Sequence, residues 1–144
     1  MKSRSNELLD KSIAAMISAI EIYNKPDFLY RGETFSILAI NSWELLFKAK
    51  LLKDNHNKMR SLYVTEPIRN KDGSKSTRRR IKLTRSGNPF THSIDYIAEK
   101  LIAAGKLDRT VWDNITALIE LRDSATHFYN YSAKFNIRIQ EIGT

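Results

Sequence analysis

Residues 33–54 read ETFSILAINSWELLFKAKLLKD, and this stretch decides the fold class of the 144-residue chain. Apolar residues recur along it at helical spacing, and further apolar residues cover much of the remaining helix surface. A helix that is apolar on nearly every side is buried on several sides. The stretch therefore predicts either the central helix of a bundle or a helix that faces a second copy of the chain.

A narrow polar line of Asn41, Glu44 and Lys48 crosses this apolar helix. Buried polar groups cost about 1–3 kcal/mol each unless they are paired. In one interpretation, Glu44 and Lys48 form an i,i+4 pair on an exposed edge, which stabilises a helix by only about 0.2–0.5 kcal/mol. In the other, the polar line faces a functional cleft that it shares with residues near the end of the chain.

The preceding segment, residues 5–24, is predicted to be an amphipathic helix. It ends before Pro26, because the residue that precedes a proline disfavours the helical conformation. One face of this helix is apolar. The face consists of Leu9, Ile13, Met16, Ile17 and Ile20.

Two more helices are predicted in the second half of the chain. The third helix covers residues 92–104, with Thr91 as its N-cap and Gly105 in the left-handed conformation that ends many helices. The fourth helix begins at Asp108 or Thr110. Residues 132–142 alternate in the manner of a strand but also fit a short helix, so both assignments stay open.

Residues 59–87 interrupt the helical period. Two β-prone runs, 62–65 and 80–84, flank an Asp72-Gly73 turn signal, and this pattern predicts an antiparallel hairpin with a long tip. A lone hairpin is only marginally stable, so it must dock on the helices or stay mobile. The predicted fold is mainly α: one domain over residues 1–144, a bundle of four to five helices with an inserted β-hairpin.

The net charge of +8 is concentrated in this hairpin. Eight basic residues and one acidic residue between positions 69 and 85 give the segment a charge of +7, which leaves about +1 for the rest of the chain. Such a block predicts an anionic partner, most simply nucleic acid, whereas the alternative is a solvated hairpin without a partner. The eight cations are Arg69, Lys71, Lys75, Arg78, Arg79, Arg80, Lys82 and Arg85.

Composition excludes several classes of protein. The chain has no cysteine, which excludes disulfides and thiolate metal sites. It shows neither a signal peptide nor an apolar run of about 18 residues that would span a membrane. His56, His92 and His127 lack the spacing of metal ligands, and there is no glycine-rich phosphate loop. We therefore expect a cytoplasmic protein without a metal or another cofactor and without a membrane partner.

Residues 121–129, LRDSATHFY, concentrate more candidate catalytic groups than any other stretch. RNA cleavage without a metal needs an acid or base for the reacting oxygens and a fixed positive charge on the phosphate. Histidine is the side chain whose ordinary pKa lies near neutrality, so a residue of the type of His127 suits the first task. Arg122 presents a planar fork that matches phosphate. The stretch predicts a catalytic pair, the alternative being a charged and aromatic helix end without chemistry.

Helix geometry constrains this pair. Arg122 continues the inward stripe of the fourth helix, whereas five residues place His127 about 140° away around a regular axis. Either the helix bends or ends between them, or the site is completed by a second protomer. Asp123 and Glu120, which lie four and seven residues before His127, are candidates to orient its ring, and Glu44 is a candidate partner for Arg122.

The run from Arg122 to His127 resembles the Arg-x4-6-His signature of HEPN domains, with Asp123 where asparagine is commoner. HEPN domains are bundles of about four or five helices that dimerise, and many are metal-independent ribonucleases of toxin–antitoxin, phage-defence or CRISPR-linked systems. The chain also resembles an uncharacterised bacterial family of HEPN-like proteins over 9–24, 40–49 and 121–130. Members of that family are often longer, so a further C-terminal region is expected.

The resemblance implies roles for further residues. Glu44 and Lys48 resemble a Glu-x3-Lys motif of some HEPN ribonucleases, although Ala49 replaces the arginine that follows. Tyr129 completes an Arg-x4-His-x-Tyr pattern whose tyrosine is modified, in some HEPN toxins, by a nucleotidyltransferase antitoxin; a buried aromatic explains Tyr129 equally well.

Two functions follow from these expectations. The first is a homodimeric endoribonuclease that produces a 2′,3′-cyclic phosphate, with RNA as substrate and an antitoxin or nucleotidyltransferase as a further partner. The alternative is a non-catalytic HEPN-like module that binds nucleic acid or a partner subunit, in which Arg122 has a structural role.

Overall fold

The structure, a computed structural model, describes the backbone of residues 2–127 and the side chains of residues 2–124. Within that range the fold is mainly α with an inserted antiparallel hairpin, as predicted from the sequence. None of the described helices is long and apolar enough to cross a membrane. The elements in chain order are α1 (Arg4–Tyr23), α2 (Arg31–Asp54), a 3-10 helix (Met59–Leu62), β1 (Thr65–Arg69), β2 (Lys75–Ile81), α3 (Ile94–Ala103) and α4 (Arg109–His127).

Two boundaries differ from the prediction. The strands pair over Thr65–Arg69 and Lys75–Ile81, closer to the turn than predicted, because Leu62 is taken into the 3-10 helix. α3 begins at Ile94, where the Ser93 hydroxyl accepts a hydrogen bond of 3.3 Å from the backbone N–H of Tyr96. The predicted N-cap, Thr91, instead forms an isolated antiparallel bridge with Tyr63. The segment 132–142 lies outside the described residues.

Two helix ends agree with the sequence. Gly105 follows α3 with a φ of 72°, the left-handed conformation predicted for it. At the start of α4, the carboxylate of Asp108 accepts a hydrogen bond of 2.9 Å from the backbone N–H of Thr110. This bond satisfies one of the N–H groups that the first turn of a helix leaves unpaired. Local side-chain chemistry thus fixes both ends of the α3–α4 connection.

α2 is the central helix, since it contacts α1, α3, α4 and the 3-10 helix. Its C-terminal half packs against α3 and the start of α4. There the ring centroids of Phe47 and Trp112 are 6.1 Å apart. Its N-terminal half packs in a second cluster with Leu118 and Leu121 of α4 and Ala19 of α1. α4 and α1 therefore both run antiparallel to α2.

The apolar face of α1 is largely exposed. Ile13, Ile17 and Ile20 are 50%, 53% and 49% exposed. The buried residues of α1 are instead Ser5, Ser12 and Ala19, which recur every seven residues. Periodicity alone identified an apolar face, but it did not identify the face that contacts α2.

Small residues and paired hydroxyls explain this orientation. The Ser12 hydroxyl donates to the Ser42 carbonyl at 2.8 Å, and the Ser42 hydroxyl donates to the Ser12 carbonyl at 2.7 Å. Both serines are buried, and each satisfies its hydroxyl on the other helix. This reciprocal contact requires a close approach of the two backbones that isoleucine side chains would prevent. Ile13, Ile17 and Ile20 are consequently turned outward.

We expect Ser12→Leu to destabilise the fold by at least about 1–3 kcal/mol, because a larger side chain forces α1 and α2 apart and removes both hydroxyl bonds. Denaturant unfolding followed by circular dichroism measures the change. The matched control is Ser18→Leu, since Ser18 is exposed on the same helix and bonds only its own Ala14 carbonyl. Equal stability of the two variants would contradict the packing argument.

Candidate functional site

The two predicted catalytic residues lie on one helix. α4 extends through His127, so the expectation that the helix ends between Arg122 and His127 is wrong. Residues five positions apart on a helix differ by about 140° around its axis. The requirement for a second protomer therefore remains a prediction. The side chain of His127 and all of Tyr129 lie outside the described residues.

The structure pairs Arg122 with its neighbour Asp123. Asp123 Oδ1 accepts hydrogen bonds from Nε and Nη2 of Arg122 at 3.3 and 3.2 Å. The Arg122 side chain is 37% exposed and that of Asp123 is 58% exposed, and ion pairs at such positions contribute only about 0–1 kcal/mol. The Asp123 carboxylate therefore orients the Arg122 guanidinium, while the ion pair itself contributes little to the stability of the fold. The predicted contact between Asp123 and His127 lies outside the described side chains.

Burial around Arg122 also differs from the prediction. Leu121, not Arg122, continues the buried stripe of α4 from Leu118. Arg122 is half-exposed beside that stripe, and Glu120, the second candidate to orient His127, is exposed. The guanidinium is therefore placed at the edge of the α4 packing surface, within reach of solvent.

The polar line of α2 forms the i,i+4 ion pair. Glu44 Oε1 lies 3.4 Å from Lys48 Nζ, the two side chains being 36% and 19% exposed, and Asn41 is exposed. Glu44 thus pairs within α2, and its pairing with Arg122 stays a prediction. Glu44 nevertheless lies one helical turn from both Ile40 and Phe47, which pack in the two core clusters that include α4. The line therefore borders the α2–α4 packing surface.

All eight hairpin cations are exposed, and four of them interact with nearby groups. Arg80 pairs with Glu66 at 3.1 Å, and Arg79 donates to Thr65. Arg69 donates to the Gly73 carbonyl. Lys82 Nζ lies 4.9 Å from the Phe90 ring centroid. Within the described part of the chain, no ion pair or hydrogen bond involves the side chains of Lys71, Lys75, Arg78 and Arg85.

The hairpin and the Arg122 end of α4 occupy opposite ends of α2. Leu62, which precedes β1, packs with Leu52 in the first core cluster, whereas Leu121 packs with Ile40 in the second. Ile40 and Leu52 are separated by about 18 Å along α2 at ~1.5 Å per residue. Within one chain, a ligand that contacts both regions must therefore span roughly the length of the bundle.

Sequence reasoning missed a row of aromatic rings at the base of the hairpin, in which Phe90 and Tyr96 are exposed and His92 is half-buried. The rings of His92 and Tyr96 are stacked, with centroids 4.0 Å apart and planes inclined by 19°. Lys100 Nζ lies 5.4 Å from the Tyr96 ring centroid. The available signal was the spacing of Phe90, His92 and Tyr96 directly after a basic run. Among the described residues, no group of three or more histidine or acidic side chains is placed to hold a metal.

The environment of His92 changes its protonation. Partial burial lowers the pKa of His92 below its ordinary value, and the positive charge of Lys100 lowers it further. Its ring is therefore neutral at pH 7. Because a neutral imidazole stacks on Tyr96 without an additional charge, the row presents aromatic surface flanked by two lysine ammonium groups.

The fold and the candidate site define a basic helical protein with an exposed β-hairpin. The chain belongs to the family described as a domain of unknown function, DUF3644, whose model matches residues 7–144. No curated protein and no solved structure is significantly similar to the chain. The family description states no activity, so function must be argued from the residues themselves.

We expect His92 to titrate below its ordinary pKa of about 6.5, and Lys100→Gln to raise that pKa partway by removing the nearby charge. Proton NMR of the imidazole measures both values. The control is Lys106→Gln, because Lys106 is engaged with Asp54 at 2.7 Å. Since the folded pKa lies below the unfolded one, stability contributed by His92 is present above about pH 6.5 and falls at lower pH. A His92 pKa above 6.5 would contradict this account.

Proposed function

We propose that this chain is a metal-independent, HEPN-type endoribonuclease of a bacterial toxin–antitoxin or phage-defence system. The observation that carries the proposal is the Arg-x4-His sequence on α4, with the Arg122 guanidinium half-exposed and oriented by Asp123. The hairpin charge of +7 supports a polyanionic substrate. RNA is preferred over DNA because acid–base chemistry by histidine needs the 2′-hydroxyl as an internal nucleophile.

The proposed reaction uses two histidines, one as the base and one as the acid. One His127 takes the proton of the 2′-hydroxyl as the 2′-oxygen bonds to phosphorus. The bond between phosphorus and the 5′-oxygen breaks, and a protonated His127 donates a proton to that leaving oxygen. The products are a 2′,3′-cyclic phosphate and a 5′-hydroxyl, and Arg122 stabilises the charge on the phosphorane. Each chain supplies one such histidine, so acid and base together favour a homodimer.

An apolar stripe on α1, exposed at Leu9, Ile13 and Ile20 and partly buried at Met16 and Tyr23, supports that homodimer. Leu9, Ile13, Met16, Ile20 and Tyr23 are separated by four, three, four and three residues, the spacing of a coiled-coil seam. Ile13 and Ile20 occupy one repeating position of this seam, as isoleucine does in two-stranded parallel coiled coils, and Leu9, Met16 and Tyr23 occupy the other. The C-terminal half of α1 packs beside that of α4, so parallel pairing through α1 would place both α4 ends on the same side of the dimer.

Trp43 extends this apolar surface from α1 to α4. It lines one groove with Leu9, Ile13 and Met16, and an adjoining groove with Leu118. The surface is larger than the isolated apolar residues normally found on monomers, and such continuous patches mark interaction sites. In the proposed dimer this surface is covered by the second copy. We further propose a cytoplasmic protein with an antitoxin or nucleotidyltransferase partner.

A non-catalytic module is the second candidate. It is favoured by the same Asp123 contact, because an arginine already paired with a carboxylate can serve structure alone. In that case the hairpin binds nucleic acid or a partner subunit and α4 does no chemistry. The two candidates differ in one measurable property, which is cleavage of RNA by the purified wild-type chain.

We expect Arg122→Ala and His127→Ala each to lower the rate of RNA cleavage by about 100-fold or more, the usual range for removal of an acid–base or charge-stabilising group. The assay follows labelled RNA in the presence of EDTA and identifies the 2′,3′-cyclic phosphate end. Arg109→Ala is the control, because Arg109 lies on the same helix but pairs with Glu99. Wild-type rates in both test variants, or an inactive wild-type chain, would reject the ribonuclease.

We expect Ile13→Glu to convert the dimer to a monomer, since it places a charge in the middle of the α1 seam. Sedimentation velocity measures the change in mass. Ile37→Glu is the matched control, because Ile37 is 48% exposed on α2 and outside the seam. A wild-type chain that sediments as a monomer, or a dimer that persists in Ile13→Glu, would reject α1 as the interface.

A further inference from the structure

We propose that Phe90, His92 and Tyr96, flanked by Lys82 and Lys100, form a binding site for unpaired nucleotides of a single-stranded nucleic acid. The inference deepens the proposed function by naming the form of the substrate, and it rests on that function for the choice of nucleic acid as the ligand. The site lies at the base of the hairpin and is separate from Arg122 and His127.

The backbone places these rings on one side of the chain. Thr91 forms an antiparallel bridge with Tyr63. The residues on either side of Thr91 are held by backbone bonds from Val64 N to Phe90 O at 2.7 Å and from His92 N to Leu62 O at 2.9 Å. Side chains two residues apart in an extended segment point to the same side. Phe90 and His92 therefore share one surface, and Tyr96 continues it through its stack on His92.

The two outer rings, Phe90 and Tyr96, are exposed although burial would favour folding, and His92 between them is half-buried. Phe90 is 41% exposed and Tyr96 is 43% exposed, while Ile97 and Ala98 of the same helix are fully buried. The α3 core is thus formed without the three rings. Aromatic surface that remains in water beside a basic segment is typical of sites on which nucleic-acid bases stack.

Charge complementarity identifies the ligand as a nucleotide chain. Lys82 lies over Phe90 and Lys100 lies over Tyr96. An exposed cation–π contact is weaker than stacking of a base on an aromatic ring. A base can therefore displace either ammonium group, which is then close to the phosphate that follows the base. Lys82 directly follows β2, so the backbone of the ligand can continue onto the cations of the hairpin.

Stacking also selects single strands. In a duplex, both faces of each base are covered by the neighbouring base pairs, and side chains reach only the groove edges and the backbone. In a single strand, a base can leave the stack and present its face to a protein ring. A row of rings is therefore of use to unpaired nucleotides, whereas the hairpin cations alone would not distinguish the two forms.

The test is fluorescence anisotropy of the full chain with a labelled 2′-O-methyl oligoribonucleotide of about 12 nucleotides, a length within the range of single-strand sites. This probe has no free 2′-hydroxyl and cannot undergo the proposed cleavage. We expect the single strand to bind more tightly than the same strand annealed to its complement. Tyr96→Ala and Phe90→Ala should each weaken single-strand binding by about tenfold, because each removes one stacking surface.

Two controls separate stacking from folding and from general charge. Tyr96→Phe retains the ring and should bind like the wild type, and Tyr30→Ala removes a tyrosine that is 60% exposed elsewhere. Thermal melting of every variant identifies any that fail to fold; Tyr96→Ser and Phe90→Ser then replace a poorly folded alanine variant.

Lys82→Gln and Lys100→Gln should each reduce the slope of log K against log salt by about 0.7.

The outcomes distinguish this inference from the proposed ribonuclease. Equal binding of single strand and duplex, or wild-type binding by folded Tyr96→Ala and Phe90→Ala, would overturn the inference. Single-strand binding that depends on the rings, in a chain that never cleaves unmodified RNA, would support the inference and reject the ribonuclease. RNA cleavage that requires Arg122, together with oligonucleotide binding that does not depend on the three rings, would support the ribonuclease and reject the inference.

Discussion

The contact between Ser12 and Ser42 is the constraint on which the arrangement of the other elements depends. It joins α1 to the central helix α2 through two reciprocal hydrogen bonds between buried serines. Small residues on both helices allow the backbones to approach closely. As a result, α1 displays Leu9, Ile13, Ile17 and Ile20 outward. A helix bundle thereby acquires an apolar outer surface without giving up a packed interior.

The antiparallel packing around α2 separates two candidate functional regions. The end that contains Leu121 carries the Arg122–Asp123 pair, and the end that contains Leu62 carries the basic hairpin and the aromatic row. If both regions contact one substrate, the substrate must be extended along the bundle. A flexible single strand can do this more readily than a compact ligand, because its backbone can follow cations that are distributed over a long surface.

Much of the fold could be predicted because it depends on local chemistry. The mainly α class, the hairpin around Asp72-Gly73, the left-handed Gly105 and the start of α4 at Asp108 all follow from side chains acting on their own backbone. The face of α1 could not be predicted, since hydrophobic periodicity does not reveal whether an apolar stripe contacts the core or another surface. The ends of the strands could not be predicted either, because Leu62 belongs to the 3-10 helix and not to β1.

The sequence by itself determined which groups are available: an arginine and a histidine on one helical segment, and a block of cations in one hairpin. Only the tertiary structure decided that Ser12 and Ser42 form the close contact between α1 and α2, that Leu121 and not Arg122 is buried, and that Phe90, His92 and Tyr96 lie in one row. The physical reason is that the presence of these side chains on one segment depends only on composition and local spacing. Contact and exposure depend on how closely α1, α2 and α4 approach one another, and buried serines set that distance for α1 and α2.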